Sequence, residues 1–151
     1  MSAGRDSAHL SGLYQDMILD HYRRPRNKGE LPDADARASL KNPLCGDEIE
    51  VQLSLEGDRV RDIRFAGRGC SISQASASMM TQLARGRSAA ELAVLTDRFA
   101  ALLRGDAGAA ADEALGDLRA LSGVSRFPSR HRCATLAWDA MRRALAAGGA
   151  L

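Results

Sequence analysis

The sequence predicts an α+β domain, a small antiparallel sheet of two to three strands flanked by helices, and three observations carry that prediction. Ile49, Val51, Leu53 and Leu55 alternate with Glu48, Glu50, Gln52 and Ser54, the period of two that marks a strand. The turn Glu56-Gly57-Asp58 and the apolar stretch Val60 to Phe65 follow at once, which makes a hairpin. On both sides of this hairpin the apolar residues recur at helical spacing instead. A chain of 151 residues suits one domain, so residues 1–151 are expected to form a single unit with short disordered ends.

In chain order, Leu10, Leu13, Tyr14, Met17, Ile18 and His21 form one helical face. Pro25 stops that helix, because proline restricts the residue before it and has no N–H to donate. Arg26 to Lys41 is looser, with a short strand expected over Ala36 to Lys41. Asn42-Pro43-Leu44-Cys45-Gly46-Asp47 reads as a turn framed by proline and glycine. After the hairpin, Ile72, Ala75, Met79 and Leu83 place a helix that begins near Cys70 and ends near Gly86. Ser88 and Glu91 match a capping box, in which each residue's side chain accepts from the other's backbone N–H. Further helical stretches are expected over Phe99 to Arg104 and Asp112 to Leu121, with a break at Gly105 to Gly108 and a loop at Ser122 to Pro128. The last helix runs from about Arg132 to Ala147, with the Ala/Gly-rich tail after Leu145 frayed.

Composition excludes several classes. With 21 basic and 19 acidic residues the net charge is +2, too balanced for a nucleic-acid or anionic-membrane surface. Aromatic residues are 4%, too few for a base-stacking platform. No apolar run approaches the ~20 residues of a membrane span, and the polar start has no apolar core of a signal peptide. The expected address is the cytoplasm, where thiols stay reduced, so three cysteines point to metal or thiol chemistry rather than disulfides.

Those cysteines are Cys45, in a Pro/Gly turn, and Cys70 and Cys133, each at an expected helix start. Backbone N–H groups and the helix dipole favour negative charge there, so Cys70 and Cys133 are expected to ionise more readily than a free thiol. Asp47 lies two residues past Cys45, and Gly46 between them lets both side chains turn to one ion. Three thiolates and a carboxylate make a complete tetrahedral set for zinc. Their intervals match no zinc-finger or zinc-ribbon spacing, and a lone cysteine can equally be a small apolar filler. With zinc the set retains net negative charge, which Arg130 and Arg132 would offset unless they are ordinary surface charges. As a ligand His131 would compete with Asp47; a place behind the ligands or in solvent is the simpler reading, because Cys133 already occupies that point of the site. His21, on the apolar face of the first helix, reads as a packed, hydrogen-bonded core residue; His9 lies far from the cysteines in sequence.

Five stretches carry a resemblance: Leu13-Tyr14; Asp20-His21-Tyr22-Arg23-Arg24-Pro25-Arg26-Asn27; Asn42 to Asp47; Gly69-Cys70-Ser71-Ile72-Ser73 with Ser76-Ala77-Ser78; and Cys133-Ala134-Thr135-Leu136. Together they resemble the U-type iron–sulfur assembly proteins, the NifU N-terminal/IscU family, and within it the SufU group. The resemblance implies a three-stranded antiparallel sheet with helices packed on it (the SufE/NifU-like fold) and maps the family's metal ligands onto Cys45, Asp47, Cys70 and Cys133. Two features depart from the IscU pattern: Arg132 stands where a histidine precedes the third cysteine, and Arg126-Phe127-Pro128-Ser129-Arg130 replaces a Leu-Pro-Pro-Val-Lys motif. The longer interval between the second and third cysteines also follows SufU.

The resemblance therefore implies a zinc-dependent sulfurtransferase, or sulfur carrier, of iron–sulfur cluster assembly. Its partners would be a SufS-type cysteine desulfurase that uses pyridoxal phosphate and a downstream iron–sulfur scaffold, with no nucleic acid and no membrane. Cys45 is the expected catalytic thiol, since its turn is not tied to a helix start, and a histidine of the desulfurase is expected to take its place on the metal. The alternatives are an iron–sulfur scaffold holding its cluster on the same ligands and a closed, structural zinc module.

Overall fold

A computed structural model describes residues 12–151. Its element order is α1 (Gly12–Arg23), β1 (Ala36–Asn42), β2 (Asp47–Glu56), β3 (Arg59–Arg68), α2 (Ser71–Ala84), α3 (Ala89–Leu103), a single turn α4 (Ala107–Ala110), 3-10 turns over Glu113–Arg126 and Pro128–Arg130, and α5 (His131–Ala147). No helix among the described residues is long and apolar enough to cross a membrane. His9 and Leu10 lie outside the described residues.

The three strands form one antiparallel sheet in the order β1-β2-β3. Ile49, Val51, Leu53, Val60, Ile63 and Phe65 are fully buried and form the sheet's side of the core. Alternation alone predicts that the opposite face of β2 meets water. Instead Gln52 and Ser54 are buried too, because the loop before β1 folds over them. Leu31 N–H donates to Gln52 Oε1 at 2.7 Å, and the Gln52 amide donates to Glu50 at 2.8 Å, so the buried amide is satisfied. A register shift between Ser54 and Leu55 then lets the hairpin close through Glu56–Arg59.

Helix α2 lies at the centre of the molecule and is buried almost all round. Its residues are mostly small, which allows close approach by its neighbours, and its buried hydroxyls, those of Ser73, Ser76, Ser78 and Thr81, are hydrogen-bonded. Ser76 Oγ donates to Ala134 O at 2.6 Å, tying α2 to the start of α5. Helix α5 packs on β1 and β2, burying Leu136, Ala137, Ala140, Met141 and Leu145 as its stripe predicts, together with Trp138. The capping box at Ser88 and Glu91 is present, and it opens one continuous helix that includes Phe99 to Leu103.

Three local expectations differ. Asp112 to Leu121 is not an α-helix but part of a run of 3-10 turns, broken at Gly116, whose φ of 53° and ψ of −130° lie outside helical values. The expected loop Ser122 to Pro128 largely continues those turns. The tail after Leu145 stays hydrogen-bonded: Ala150 N–H reaches Leu145 O at 2.9 Å, and Gly148 passes so close to Leu55 that a Cβ would lie 2.5 Å from it.

Candidate metal centre

Strand register brings the cysteine segments together at one end of the sheet. Asn42 pairs with Asp47, which closes the Pro43–Gly46 turn around Cys45. The buried Asn42 organises this turn: its carbonyl accepts from the N–H groups of Cys45 and Gly46 at 3.3 and 2.8 Å, and its Oδ1 accepts from Leu44 N–H at 3.2 Å. Gly46 sits at φ +72°, the left-handed conformation that glycine adopts without strain. On the other side of β2, Glu48 pairs with Arg68, so the end of β3 lies beside Asp47 and delivers Cys70 two residues later. Cys133 arrives from the opposite direction, as the third residue of α5.

Asp47 is the hub of this convergence and is 1% exposed. Its Oδ1 accepts the Cys70 backbone N–H at 2.9 Å, which orients the carboxylate. Its Oδ2 faces the Cys45 thiol at 2.9 Å and the Cys70 thiol at 3.7 Å. The sulfurs of Cys45 and Cys133 are 3.5 Å apart. One donor atom from each of Cys45, Asp47 and Cys133 lies within 4.8 Å of the others, and Cys70 approaches that set on its Asp47 side. The thiols differ in access: Cys45 is exposed, Cys70 half-buried and Cys133 buried.

Electrostatics set Asp47 and Cys133 apart. Burial pushes the Asp47 carboxyl up, but hydrogen bonds from the Cys45 thiol, the Cys70 backbone and the other two thiols outweigh it and hold the group below its usual range. Burial also pushes the Cys133 thiol up, and the Cys45 hydrogen bond and the charges of Cys70 and Asp47 push it further. The expectation that a helix start eases ionisation of Cys133 is thus overturned, because in the protein alone desolvation and crowded donors of the same sign outweigh the dipole.

A zinc ion bound tetrahedrally at about 2.3 Å to sulfur and 2.0 Å to oxygen sets sulfurs about 3.8 Å apart and sulfur about 3.5 Å from oxygen. The observed 3.5 Å between the Cys45 and Cys133 sulfurs and 3.7 Å from Cys70 to Asp47 are close to those spacings, whereas Cys45 and Asp47 at 2.9 Å are drawn together by their own hydrogen bond and would separate slightly around an ion. The pairing of a buried carboxylate with several thiols also suits a soft, divalent cation.

Arg130 is exposed, and Arg132 lies 3.9 Å from Asp139 of its own helix, the surface alternative for that side chain. His131 is not among the donors gathered within 4.8 Å. His21 is fully buried as the sequence implies: Nδ1 meets Ser78 Oγ at 2.7 Å and Nε2 meets Asp117 Oδ2 at 2.9 Å. A carboxylate can only accept, so Nε2 carries a hydrogen. Ser78 already accepts the Arg26 N–H at 2.8 Å. This Ser–His–Asp set is a bolt joining α1, α2 and the 3-10 turns, with its serine sealed from solvent.

Gly69, part of the Cys70 stretch in the sequence, has a role at the centre that its spacing does not reveal. A Cβ there would lie 2.4 Å from Ser73 Oγ and 2.5 Å from Asp47 Oδ1, so the glycine makes room for the carboxylate. Its position directly before Cys70 is the one signal in the sequence; which side chain fills the space beside it is set by the fold.

Fold and site define a small α+β protein with a thiol-rich cluster, of the kind that holds a soft metal ion, at one end of its sheet. Residues 13–147 match the family model of the NifU-like N-terminal domain, and the chain belongs to that family. It is 44% identical to the zinc-dependent sulfurtransferase SufU of Bacillus subtilis, over 93% of this chain and 94% of that one. It is 42% identical to the iron–sulfur cluster assembly scaffold protein IscU of Streptococcus pyogenes, over 90% and 84% respectively. Among solved structures, a nitrogen-fixing NifU-like protein (N-terminal) from Brucella abortus superposes with a TM-score of 0.83 at 25% identity, covering 93% of this chain and 96% of that one. A SUF-system assembly scaffold protein of Fervidobacterium islandicum gives 0.78 at 29% identity, covering 86% and 94%.

Proposed function

We propose that this protein is a zinc-dependent sulfur carrier of the cytoplasm, taking sulfane sulfur from a pyridoxal-phosphate-dependent cysteine desulfurase and passing it to an iron–sulfur scaffold. The observation that carries the reading is the gathering of Cys45, Asp47 and Cys133 within 4.8 Å, with Cys70 3.7 Å from Asp47 and Cys45 the exposed thiol. The name of the Bacillus subtilis relative supports it.

Cys45, Asp47, Cys70 and Cys133 would hold the zinc. When bound, the ion supplies positive charge that favours the thiolate form of its cysteines. The chain's own residues divide the remaining work. Cys133 and Asp47 are buried and anchored by secondary structure, so they keep the site's shape. Cys45 sits on a turn and is the attacking group. Its thiolate attacks the outer sulfur of the desulfurase persulfide, the desulfurase S–S bond breaks, and the desulfurase cysteine leaves as thiolate. The new sulfur–sulfur bond then lies on Cys45, with no net oxidation or reduction. Transfer to the next acceptor repeats the same exchange.

The test is Cys45→Ser against the cysteine desulfurase of the same organism. The variant is expected to fold, to gain no sulfur by mass spectrometry, and to lose stimulation of the desulfurase. A serine variant that stimulates as well as the wild type overturns the role of Cys45. The relatives named as scaffolds favour a second reading, a [2Fe–2S] cluster on the same donors. Protein isolated brown and iron-bearing supports that reading; colourless, zinc-bearing protein supports the carrier.

A further inference from the structure

Beside the cysteine cluster runs an open groove of about 720 Å³ between α1, the start of α2 and the 3-10 turns. Its apolar lining includes Tyr14, Ile18, Ile72 and Phe127, and its charged lining residues are Arg126 and Arg130. No Asp or Glu lines it. Neither arginine makes an ion pair among the described residues. Phe127 is 50% exposed at the rim, and Leu44, directly before Cys45, is 91% exposed. The groove reaches Ser71, the neighbour of Cys70, and Arg130, which leads into the helix of Cys133. It therefore approaches the cysteine centre from the side of Cys70 and of the helix that carries Cys133, without containing a thiol.

A monomer's exposed apolar side chains gain significance when they gather at one site with charges of one sign. From this geometry we infer that the groove is the docking surface for the desulfurase, receiving a segment that inserts an apolar side chain between α1 and the 3-10 turns and sets carboxylates against Arg126 and Arg130. The inference rests on the sulfur-carrier reading and deepens it. The apolar contact holds the partner while the two arginines steer it, so the persulfide arrives at the exposed Cys45 rather than at the buried Cys133. The groove's walls come from α1 and from turns held to it by the His21–Asp117 contact at 2.9 Å, so its width is built into the fold.

The experiment measures binding of the full chain, zinc-loaded, to the same organism's cysteine desulfurase whose persulfide-forming cysteine has been changed to alanine. Arg126→Glu and Phe127→Asp alter exposed residues of one wall; Gln15→Glu adds like charge to the facing wall, on an exposed side chain of α1. Val94→Asp changes an exposed apolar residue of α3 outside the groove and serves as the control. Expected is a Kd raised at least tenfold by Arg126→Glu and by Phe127→Asp, a smaller rise for Gln15→Glu, and no change for Val94→Asp, with zinc content and melting temperature unaltered throughout. Added salt should narrow the gap between wild type and Arg126→Glu and leave that of Phe127→Asp in place. Groove variants that bind within twofold of wild type overturn the docking surface while leaving the carrier reading intact. A wild-type protein that neither binds nor stimulates the desulfurase sinks the carrier reading itself. Should one variant lose its zinc, the substitution on the facing wall decides.

Discussion

Gly69→Ala probes the most crowded point of the centre. The added methyl group would sit 2.5 Å from Asp47 Oδ1, 2.9 Å from its carboxyl carbon and 2.4 Å from Ser73 Oγ. Ordinary contact begins near 3.4 Å, so the carboxylate must retreat by close to an ångström. Ser73 can rotate, at the loss of its 3.0 Å bond to Cys70 O, but Asp47 Oδ1 is held by the Cys70 N–H at 2.9 Å and cannot move without breaking that bond. Overpacking of this kind costs about 1–3 kcal/mol. For a domain of this size that is roughly 3–9 °C in melting temperature. Displacing an oriented ligand typically weakens metal binding by about 10–100-fold. The assays are thermal melting by circular dichroism and zinc competition against a chromophoric chelator. Gly69→Ala/Ser73→Ala should recover little, since the clash with Asp47 persists. A single variant that melts within a degree of wild type and keeps its zinc affinity would falsify the claim that this glycine exists to seat the carboxylate.

Asp47→Ala removes the hub: the part-buried Cys70 N–H loses its acceptor, costing about 1–2 kcal/mol, and zinc content measured by mass spectrometry should fall below one per chain; full occupancy with an unchanged melt argues against Asp47 as a ligand. His21→Leu deletes both bonds of the bolt, although Ser78 keeps the Arg26 N–H and the part-exposed Asp117 can turn to water, so urea unfolding should show a loss of about 1–2 kcal/mol, with a loss under half a kcal/mol contradicting a structural role. Asp62 is pushed up by burial, but the Ile63 N–H and the Arg85 and Arg64 guanidiniums outweigh this and hold it below its usual 3.8. A lowered folded-state value means that its stabilisation is present above that pH and fades as pH falls below it. Asp62→Asn should therefore melt lower than wild type at pH 7, with the gap closing as pH falls below 3.8; a gap that widens in acid reverses the sign of this argument.

Much of the fold is legible because its signals are local. Alternation over Ile49–Leu55 and the Gly57 turn specify the β2–β3 hairpin, and Ser88 with Glu91 specifies the start of α3. The apolar residues of Asp112 to Leu121 suit a helix, and Ser122 to Pro128 suits a loop, but Gly116 takes a backbone conformation that no spacing rule reveals and 3-10 turns run through both stretches. The burial of Gln52 and Ser54 was hidden as well, since the cover comes from a loop whose path is set by Leu31 and Asp35 bonding back to β2.

The candidate site divides in the same way. Residue types alone determine the donor chemistry: three sulfurs, a carboxylate two residues past the first, and turns that leave them free to face one ion. The tertiary structure decided their meeting and their inequality. Pairing Asn42 with Asp47 and Glu48 with Arg68 carries Cys45 and Cys70 to one end of the sheet, and α5, packed on β1 and β2, adds Cys133 from the far end of the chain. Depth then makes one thiol accessible and another costly to ionise, because solvation depends on everything packed around a sulfur and not on its neighbours in sequence.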